Sequence, residues 1–295
     1  MKLPSHNRYD YHPITRRPSF QWPEGGGLAV YLGVNLEHFA FGEGLGACLA
    51  PGGPQPDVLN YAWRDYGNRV GAWRMLELFD ALDMPTGVLA NSTIADYCPE
   101  LLQAFMDRGD ELVGHGRSNS ERQSNFDEAG EMALIMESRQ RLQRFSGKPP
   151  AGWLGPWISQ STTTPDLLRE AGFTYLLDWC HDDQPVWMRT TESDPILSVP
   201  YPQEINDIPA IVARQNGAAE FADMIIDQFD EMYEQARAQP LVMGIALHPY
   251  IVGQPFRLRH LRRALEHINA RRDSLWITTP GRIAEVFSEQ VPPSV

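Results

Sequence analysis

The chain has 295 residues, of which 42% are hydrophobic and 21% are charged, and its formal net charge is −13. This charge disfavours nucleic acids and anionic membrane surfaces as partners, while the length and the hydrophobic content suffice for one large core. The three cysteines, Cys48, Cys98 and Cys180, have no metal-ligand spacing and fit a reducing compartment. The first residues lack the apolar core of a signal peptide, and no apolar run approaches ~20 residues. We therefore expect a cytoplasmic protein whose partners include neither membranes nor nucleic acids.

The whole chain, residues 1–295, is predicted to form a single catalytic domain. Residues 1–27 are rich in Pro, Arg and aromatic side chains without a period, and we expect them to be an arm packed on that domain. A strand is predicted at residues 28–35. The Gly- and Pro-rich residues 39–60 are predicted to form a long loop above the site.

Beyond this loop, predicted strands alternate with predicted helices. Helices are predicted at residues 70–82, 99–108, 127–145, 164–171, 218–239, 258–270 and 280–287. Strands are predicted at residues 86–90, 111–114, 175–178, 196–199, 242–247 and 275–278, with a further short strand at Ile211. This alternation predicts parallel β/α units and therefore an α/β barrel, either closed or partly open.

The segment from Leu241 to Leu247 is a continuous apolar run, which is typical of a strand buried on both faces. The run ends at His248, and Pro249 stops the strand because proline has no N–H for the ladder. In α/β folds, chemistry is placed at this C-terminal edge of the sheet. His248 is therefore a candidate catalytic residue, and the alternative is a core histidine with a satisfied hydrogen bond.

Other predicted strands also end in polar side chains. The candidates that they supply are Asn35, Glu37, His38, His115 and Asp178. Because parallel strands bring their carboxyl ends to one edge, these residues predict one convergent polar site. Alternation places His38 on the opposite face from Glu37, so a structural place in the barrel wall is favoured for His38. A carboxylate such as Asp178 often only forms a turn or a helix cap.

With these residues in place, the order of elements resembles the polysaccharide deacetylase family over roughly residues 20–290. Glu37 and His38 stand where the family has two adjacent acids followed by glycine. The segment from His115 to Asn119 stands where the family has H-x-x-x-H, and His248 matches its late catalytic histidine. The resemblance implies an irregular (β/α) barrel of seven or eight units and a hydrolase.

The chain departs from the family at positions that bind a metal there. His38 replaces a metal-binding acid, Asn119 replaces a metal-binding histidine, and residues 152–157 lack the family's arginine. A weakened ligand set loses metal affinity steeply, so we expect no metal and no other cofactor. A divalent metal such as zinc, held by Glu37, His38 and His115, remains the alternative.

These departures are similar to a cytosolic branch of the family that hydrolyses cyclic amides, namely metal-independent allantoinases and cyclic imide hydrolases. The allantoinases have N-x-E-E-G where this chain has the segment from Asn35 to Phe39. They also have an aspartate followed by D-D-x-P-x-W, which Asp178 and residues 182–187 match. The missing arginine favours a less polar ring than allantoin, such as a cyclic imide.

Opening a cyclic amide requires a nucleophilic water, a base, and stabilisation of the charge on the carbonyl oxygen. The resemblance implies Glu37 as the base and His248 as the group that protonates the leaving nitrogen or binds the oxyanion. His115 and Asn119 would orient the water or donate to the oxyanion, although Asn119 is equally well explained as a helix cap. Asp178 would set the tautomer of a histidine.

The tryptophans near these segments are expected to line an apolar pocket or, alternatively, to belong to the core. They are Trp153, Trp157 and Trp179. We expect a homo-oligomer that cleaves the non-peptide C–N bond of a small cyclic imide or ureide. A carbohydrate N-deacetylase of the same family and a catalytically inactive binding member remain the alternatives.

Overall fold

A computed structural model of the protein describes residues 3–43, 46–191 and 194–293. Its strands are β1 (Leu28–Leu36), β2 (Thr86–Ala90), β3 (Glu111–Gly114), β4 (Gly152–Trp153), β5 (Tyr175–Leu176), β6 (Val186–Met188), β7 (Ile196–Ser198), β8 (Leu241–Leu247) and β9 (Trp276–Thr278). Its α-helices are α1 (Val58–Tyr66), α2 (Ala72–Leu82), α3 (Ile94–Tyr97), α4 (Pro99–Asp107), α5 (Glu128–Ser146), α6 (Thr164–Glu170), α7 (Ala218–Gln235), α8 (Pro249–Val252), α9 (Pro255–Asn269) and α10 (Pro280–Gln290).

The strands form one curled sheet in the order β6-β7-β5-β4-β3-β2-β1-β8, and β9 pairs with β1. Its strand pairs are parallel except for the antiparallel pair of β6 and β7. On its other side, β8 pairs with Asn206 through an isolated parallel β-bridge at Ala246. The predicted α/β class is confirmed. The sheet forms a half-barrel, and the segment between β7 and β8 is irregular.

The central strands are apolar because both of their faces are covered. Every residue of β1 and of β8 is buried, as the continuous apolar pattern of the latter predicted. The long helix α7 packs its predicted apolar stripe inward, and this stripe includes Phe221, Ile225, Phe229 and Met232. Within the ranges described above, no helix is long and apolar enough to cross a membrane.

The prediction of a loop over residues 39–60 was wrong at its C-terminal end. Helix α1 begins there, with the Asp57 side chain accepting a hydrogen bond from the Asn60 N–H, and it continues through a π-helical turn into α2. The turn contains Gly67 and Gly71, where a Cβ would overlap the backbone of α8. The sequence predicted a helix only from residue 70 onward, and close packing against α8 requires both glycines. Residues 44 and 45 of the predicted loop lie outside the described residues.

Two further predictions differ from the structure between β5 and α7. Ile211 lies in a π-helical turn, residues 208–213, and not in a strand. The short strand β6 follows Pro185 at the edge of the sheet and was not predicted, because three residues carry too little periodic pattern. The other predicted helices and strands are present with shifted ends, as expected where tertiary packing sets the boundary.

Residues 3–27 lie against the barrel through specific contacts. Arg8 forms an ion pair with Asp166 of α6 at 2.6 Å, and the two side chains are largely buried. Phe20 and Trp22 are buried, and the indole N–H of Trp22 donates to the Leu241 carbonyl at 2.9 Å. The aromatic side chains of this segment therefore extend the core to the start of β8.

Candidate active site

Three titratable side chains meet at the carboxyl edge of the sheet. Glu37 follows β1, His248 follows the neighbouring β8, and His115 follows β3. The Glu37 Oε1 atom lies 3.6 Å from His248 Nε2 and 3.8 Å from His115 Nε2. The exposed fractions of Glu37, His115 and His248 are only 6%, 2% and 4%. The structure thus brings together the three residues that the strand ends predicted.

The Glu37 carboxylate is held by donors on both oxygens. The amide Nδ2 of Asn119 donates to Oε1, and the Tyr250 hydroxyl donates to Oε2 at 2.9 Å. Burial by itself would raise the pKa of Glu37, but the charge of His248 and the adjacent imidazoles of both histidines lower it to about 2. Glu37 is therefore a carboxylate at neutral pH and can accept a proton.

His248 is placed between two carboxylates. Its Nδ1 lies 2.6 Å from Asp207 Oδ1, and its backbone N–H donates to Asp207 Oδ2 at 2.7 Å. Burial would lower the pKa of His248, but the carboxylates of Asp207 and Glu37 raise it to about 10. His248 therefore carries a proton on Nε2, the atom that faces Glu37. At neutral pH the two groups therefore form a buried pair of opposite charges.

Sequence analysis did not identify Asp207. It precedes the π-helical turn at residues 208–213 and follows no recognisable strand, so no pattern marks it. Asp178 had been expected to set the tautomer of one of the histidines by a contact with its imidazole. The structure assigns this contact to Asp207 instead.

His115 is oriented by a backbone carbonyl. Its Nδ1 lies 2.7 Å from the carbonyl oxygen of Leu154, which can only accept, so Nδ1 carries the proton. Its buried Nε2 has no hydrogen-bond partner among the described residues. The buried Nε2 of His115 therefore faces the space beside the Glu37 carboxylate, 3.8 Å from Oε1.

Asn119 supports this site through its amide and does not cap a helix. Its Nδ2 donates to Glu37, and its Oδ1 accepts from Asn91 Nδ2 at 2.9 Å. Asn91 also accepts from the His38 backbone N–H at 2.8 Å. Both ends of the Asn119 amide are thus occupied in holding the base. Asn91 directly follows β2, so the strand-end rule could have identified it.

Asn35 and His38 lie beside Glu37 in the chain but contact other groups. The Asn35 amide donates to the Tyr201 hydroxyl at 3.1 Å and to the Leu247 carbonyl at 3.3 Å. The His38 Nδ1 lies 2.9 Å from the Thr93 hydroxyl, and its ring stacks on Tyr97 with the centroids 4.4 Å apart. Asn35 therefore connects β1 to the end of β8, and His38 packs on the outer side of the site.

The residues at the family's metal positions do not fit a metal ion. His38 is engaged by Thr93 and Tyr97, and Asn119 turns an N–H toward Glu37 where a ligand would offer a lone pair. Within the described parts of the chain, no group of three His, Cys, Asp or Glu side chains could hold a metal ion. The alternative set of Glu37, His38 and His115 is therefore not assembled.

Asp178 lies behind His115 and touches no imidazole. Its Oδ1 accepts from the Gly155 N–H at 2.8 Å, and its Oδ2 is buried without a partner among the described residues. Burial raises the pKa of Asp178 to about 7. A Cβ at residue 155 would lie 2.8 Å from this Oδ1, so the approach requires glycine.

The three tryptophans have three different surroundings. Trp153 is fully buried against Phe173 at a ring distance of 5.3 Å, so its predicted place in a substrate pocket was wrong and it belongs to the core. Trp179 packs edge-on against Tyr9 of the N-terminal segment at 5.7 Å, away from Glu37. Trp157 is 36% exposed and lies next to Phe39 above the site, so it alone remains a candidate for substrate contact.

Curated relatives of the chain are named as deacetylases. A protein of Schizosaccharomyces pombe named as a polysaccharide deacetylase is 28% identical over 313 aligned positions, which cover 95% of each chain. The peptidoglycan deacetylase of Helicobacter pylori is 24% identical over 258 positions, covering 77% of this chain and 87% of the relative. No family model matches the chain.

Solved structures extend this similarity. A "probable polysaccharide deacetylase" from Pseudomonas aeruginosa PAO1 is 26% identical with a TM-score of 0.84, covering 94% of this chain and 96% of that one. The Puue allantoinase is also 26% identical with a TM-score of 0.82, covering 97% and 100%. Similarity of sequence and fold over nearly the whole chain supports a hydrolase of the polysaccharide deacetylase type, related to enzymes that act on non-peptide C–N bonds.

Proposed function

We propose that this hydrolase opens a small cyclic amide, such as a cyclic imide or ureide, by adding water across a non-peptide C–N bond. The observation that carries the proposal is the enclosed pair of Glu37 and His248. A carboxylate and a protonated imidazole face each other at 3.6 Å, and both are more than nine-tenths buried. Such a site suits a small molecule that is enclosed completely, whereas a polymer requires an open groove.

In the proposed reaction, Glu37 removes a proton from a water molecule whose oxygen attacks the carbonyl carbon. His115, whose Nε2 lies beside the same Glu37 oxygen, orients this water. His248 stabilises the developing oxyanion with its charge and then transfers its Nε2 proton to the leaving ring nitrogen. The C–N bond breaks, and the product carries a carboxyl group and an amide or urea nitrogen.

A cyclic imide suits this set of groups because its nitrogen leaves as a stabilised anion and needs less assistance than an amine. We propose that the reaction uses no resident metal, since the residues at the family's metal positions are engaged in other contacts. Residues 152–157 supply no arginine, which favours a ring less polar than allantoin. The similarity to a protein named as an allantoinase supports the cyclic-amide class.

The second candidate is an N-deacetylase that removes acetyl groups from an amino sugar. The names of the two curated relatives favour it, and the same base and acid would serve amide cleavage there. The two candidates differ in the product. Ring opening yields one product that retains all atoms of the substrate plus water, whereas deacetylation releases acetate.

The experiment supplies the purified protein with succinimide, hydantoin and a dihydropyrimidine beside an N-acetylglucosamine oligomer. Mass spectrometry follows the gain of one water, and an enzymatic assay follows acetate. The Glu37→Gln variant, prepared identically, controls for contaminating hydrolases. We expect ring opening by the wild type alone. Acetate release without ring opening would replace this proposal with the deacetylase.

A further inference from the structure

One peptide group joins Asp178 to the active site. The Leu154–Gly155 peptide accepts the Nδ1–H of His115 on its carbonyl, at 2.7 Å, and donates its N–H to Asp178 Oδ1, at 2.8 Å. The carbonyl and N–H of a trans peptide point in opposite directions within its plane, so His115 and Asp178 contact opposite edges of one peptide group. The hydrogen bonds therefore run from the Asp178 carboxylate through the peptide to the imidazole of His115, whose Nε2 lies beside Glu37.

Hydrogen bonds arranged in such a chain strengthen one another. A negative charge at the N–H of a peptide pulls electron density toward the carbonyl oxygen, which becomes a better acceptor, and this cooperativity is larger in a buried site. The peptide is well enclosed here, because Asp178 is 5% exposed and His115 is 2% exposed. A stronger bond to Nδ1 makes Nε2 a better acceptor, as carboxylates do for metal-bound histidines.

We propose that Asp178 is a positioning residue that acts on His115 through the Leu154–Gly155 peptide, keeping a proton on Nδ1 and holding Nε2 toward the site of the nucleophilic water. The proposal rests on the proposed function for its effect on turnover. Its structural part, the strength of the bond from Nδ1, does not depend on any substrate. Asp178 itself touches no reacting atom.

The local geometry favours this role over that of a simple turn. Gly155 leaves no Cβ between the carboxylate and the peptide, where one would overlap Asp178, Ser159 and Gln123 oxygens. The second oxygen of Asp178 has no partner among the described residues, so no counter-ion in that set neutralises the carboxylate. Among the described residues, the carboxylate is thus approached by backbone N–H groups, including that of Gly155, and by no cation.

The first test measures the Nδ1–H proton resonance of His115 by NMR on protein labelled with ¹⁵N-histidine. Asp178→Asn keeps the size of the side chain and an oxygen that can accept from Gly155, but it removes the charge. We expect this resonance to move upfield in Asp178→Asn because the bond weakens. An unchanged resonance in a folded variant would show that the carboxylate does not act through the peptide.

The matched control is Glu131→Gln. Glu131 is a fully buried carboxylate of α5 near Asp178, but it accepts from Gln123 at 2.7 Å and from Thr164, not from the peptide. Its neutralisation should leave the His115 resonance unchanged. Equal shifts in both variants would overturn the proposal, since a general loss of buried charge would then explain them.

The wild type provides a measurement that does not depend on the folding of a variant. The pKa of Asp178 is raised to about 7 by burial, so its charge appears as the pH rises through that value. The other titratable groups near it are Glu131 of α5 and Cys180, which follows β5. We expect the His115 Nδ1–H resonance to move downfield near pH 7 in the wild type and in Glu131→Gln, but not in Asp178→Asn. A resonance that stays constant with pH in all three proteins would contradict the proposal.

Turnover gives the last measurement. Loss of a group that orients and tunes a functional histidine typically lowers activity by roughly 10- to 100-fold. We expect this loss in the kcat of Asp178→Asn with KM nearly unchanged, and no such loss in Glu131→Gln. If the wild type hydrolyses no cyclic amide, the proposed function fails, while the NMR shifts still decide the role of Asp178.

Discussion

The two edges of the sheet each hold a buried glutamate in very different surroundings. At the carboxyl edge, Glu37 faces two imidazoles and has a pKa lowered to about 2. At the amino edge, Glu111 begins β3 and borders a cleft of about 750 Å³. Burial raises the pKa of Glu111, and its oxygens accept from the Tyr175 hydroxyl and the Gly281 N–H.

A buried glutamate beside a cleft is not by itself a catalytic group in this molecule. A cleft borders Glu111, but the groups that hold the glutamate are neutral donors, the Tyr175 hydroxyl of β5 and the Gly281 N–H at the start of α10. Glu111 therefore acts as an anchor that fixes α10 to the sheet. Glu37 has an acid opposite it and can exchange a proton, which is what hydrolysis requires.

The largest effect is expected from removing the base or the acid. Glu37→Gln keeps size and hydrogen-bonding capacity but abolishes the basic carboxylate, and His248→Ala removes the proton donor. Each should lower kcat by about 10²–10⁴-fold with a small change in KM, because these groups act mainly in the transition state. His115→Ala should lower kcat less, since it only orients the water. A folded Glu37→Gln protein with near wild-type kcat would exclude Glu37 as the base.

Asp207→Asn should change the pH profile as well as the rate. The negative charge of Asp207 helps to raise the pKa of His248 to about 10, so its removal lowers that pKa. The alkaline limb of kcat/KM, which reports loss of the acid in the free enzyme, should move from near pH 10 to lower pH. At neutral pH we expect a loss of about 10²-fold, because the imidazole also loses its orienting partner. A profile that falls at the same pH as in the wild type would separate Asp207 from the acid.

Much of this site could be predicted from the sequence, because functional side chains of parallel sheets commonly follow the C-terminal ends of the strands. The apolar runs of β1, β3 and β8 identified Glu37, His115 and His248 from sequence alone. Asp207 was not predictable, since it reaches His248 across 41 positions from a π-helical turn without a periodic pattern. Its role depends entirely on how the irregular segment between β7 and β8 folds back over β8.

The other wrong predictions also concern features that depend on tertiary contacts. The predicted helix began only at residue 70 and missed the continuity of α1 and α2, because the sequence does not show that α8 packs directly on Gly67 and Gly71. Trp153 is a large aromatic residue next to a glycine, which is typical of a pocket lining. The short strand β4 instead directs its side chain into the core beside Phe173. A periodic pattern identifies buried faces, whereas it cannot say which neighbour covers them.

A smaller effect on turnover, with a clear effect on stability, is expected at the amino edge. Glu111→Ala removes the acceptor for Tyr175 and for the N-terminus of α10, leaving a buried hydroxyl unpaired. We expect the free energy of unfolding to fall by about 2–3 kcal/mol, measured by denaturant titration, while kcat stays within about twofold. Glu37→Gln should show the reverse pattern. A loss of kcat in Glu111→Ala comparable to that of Glu37→Gln would remove the contrast between the two edges.

The smallest effect is expected from chelation. His38 and Asn119, at the family's metal positions, are engaged by Thr93 and by Glu37, and His248 keeps its proton between two carboxylates and so has no lone pair on Nε2. Prolonged dialysis against EDTA or dipicolinate should therefore leave kcat/KM unchanged within about twofold. Glu37→Gln should remain inactive when Zn²⁺ is added, which guards against adventitious hydrolysis by the metal. Activity that disappears on dialysis and returns with stoichiometric Zn²⁺ would mean that the side chains rearrange around a metal ion. In that case the facing pair of Glu37 and His248 would exist only in the metal-free protein. Glu37 would then differ from Glu111 because it binds a metal ion, and not because it exchanges a proton with His248.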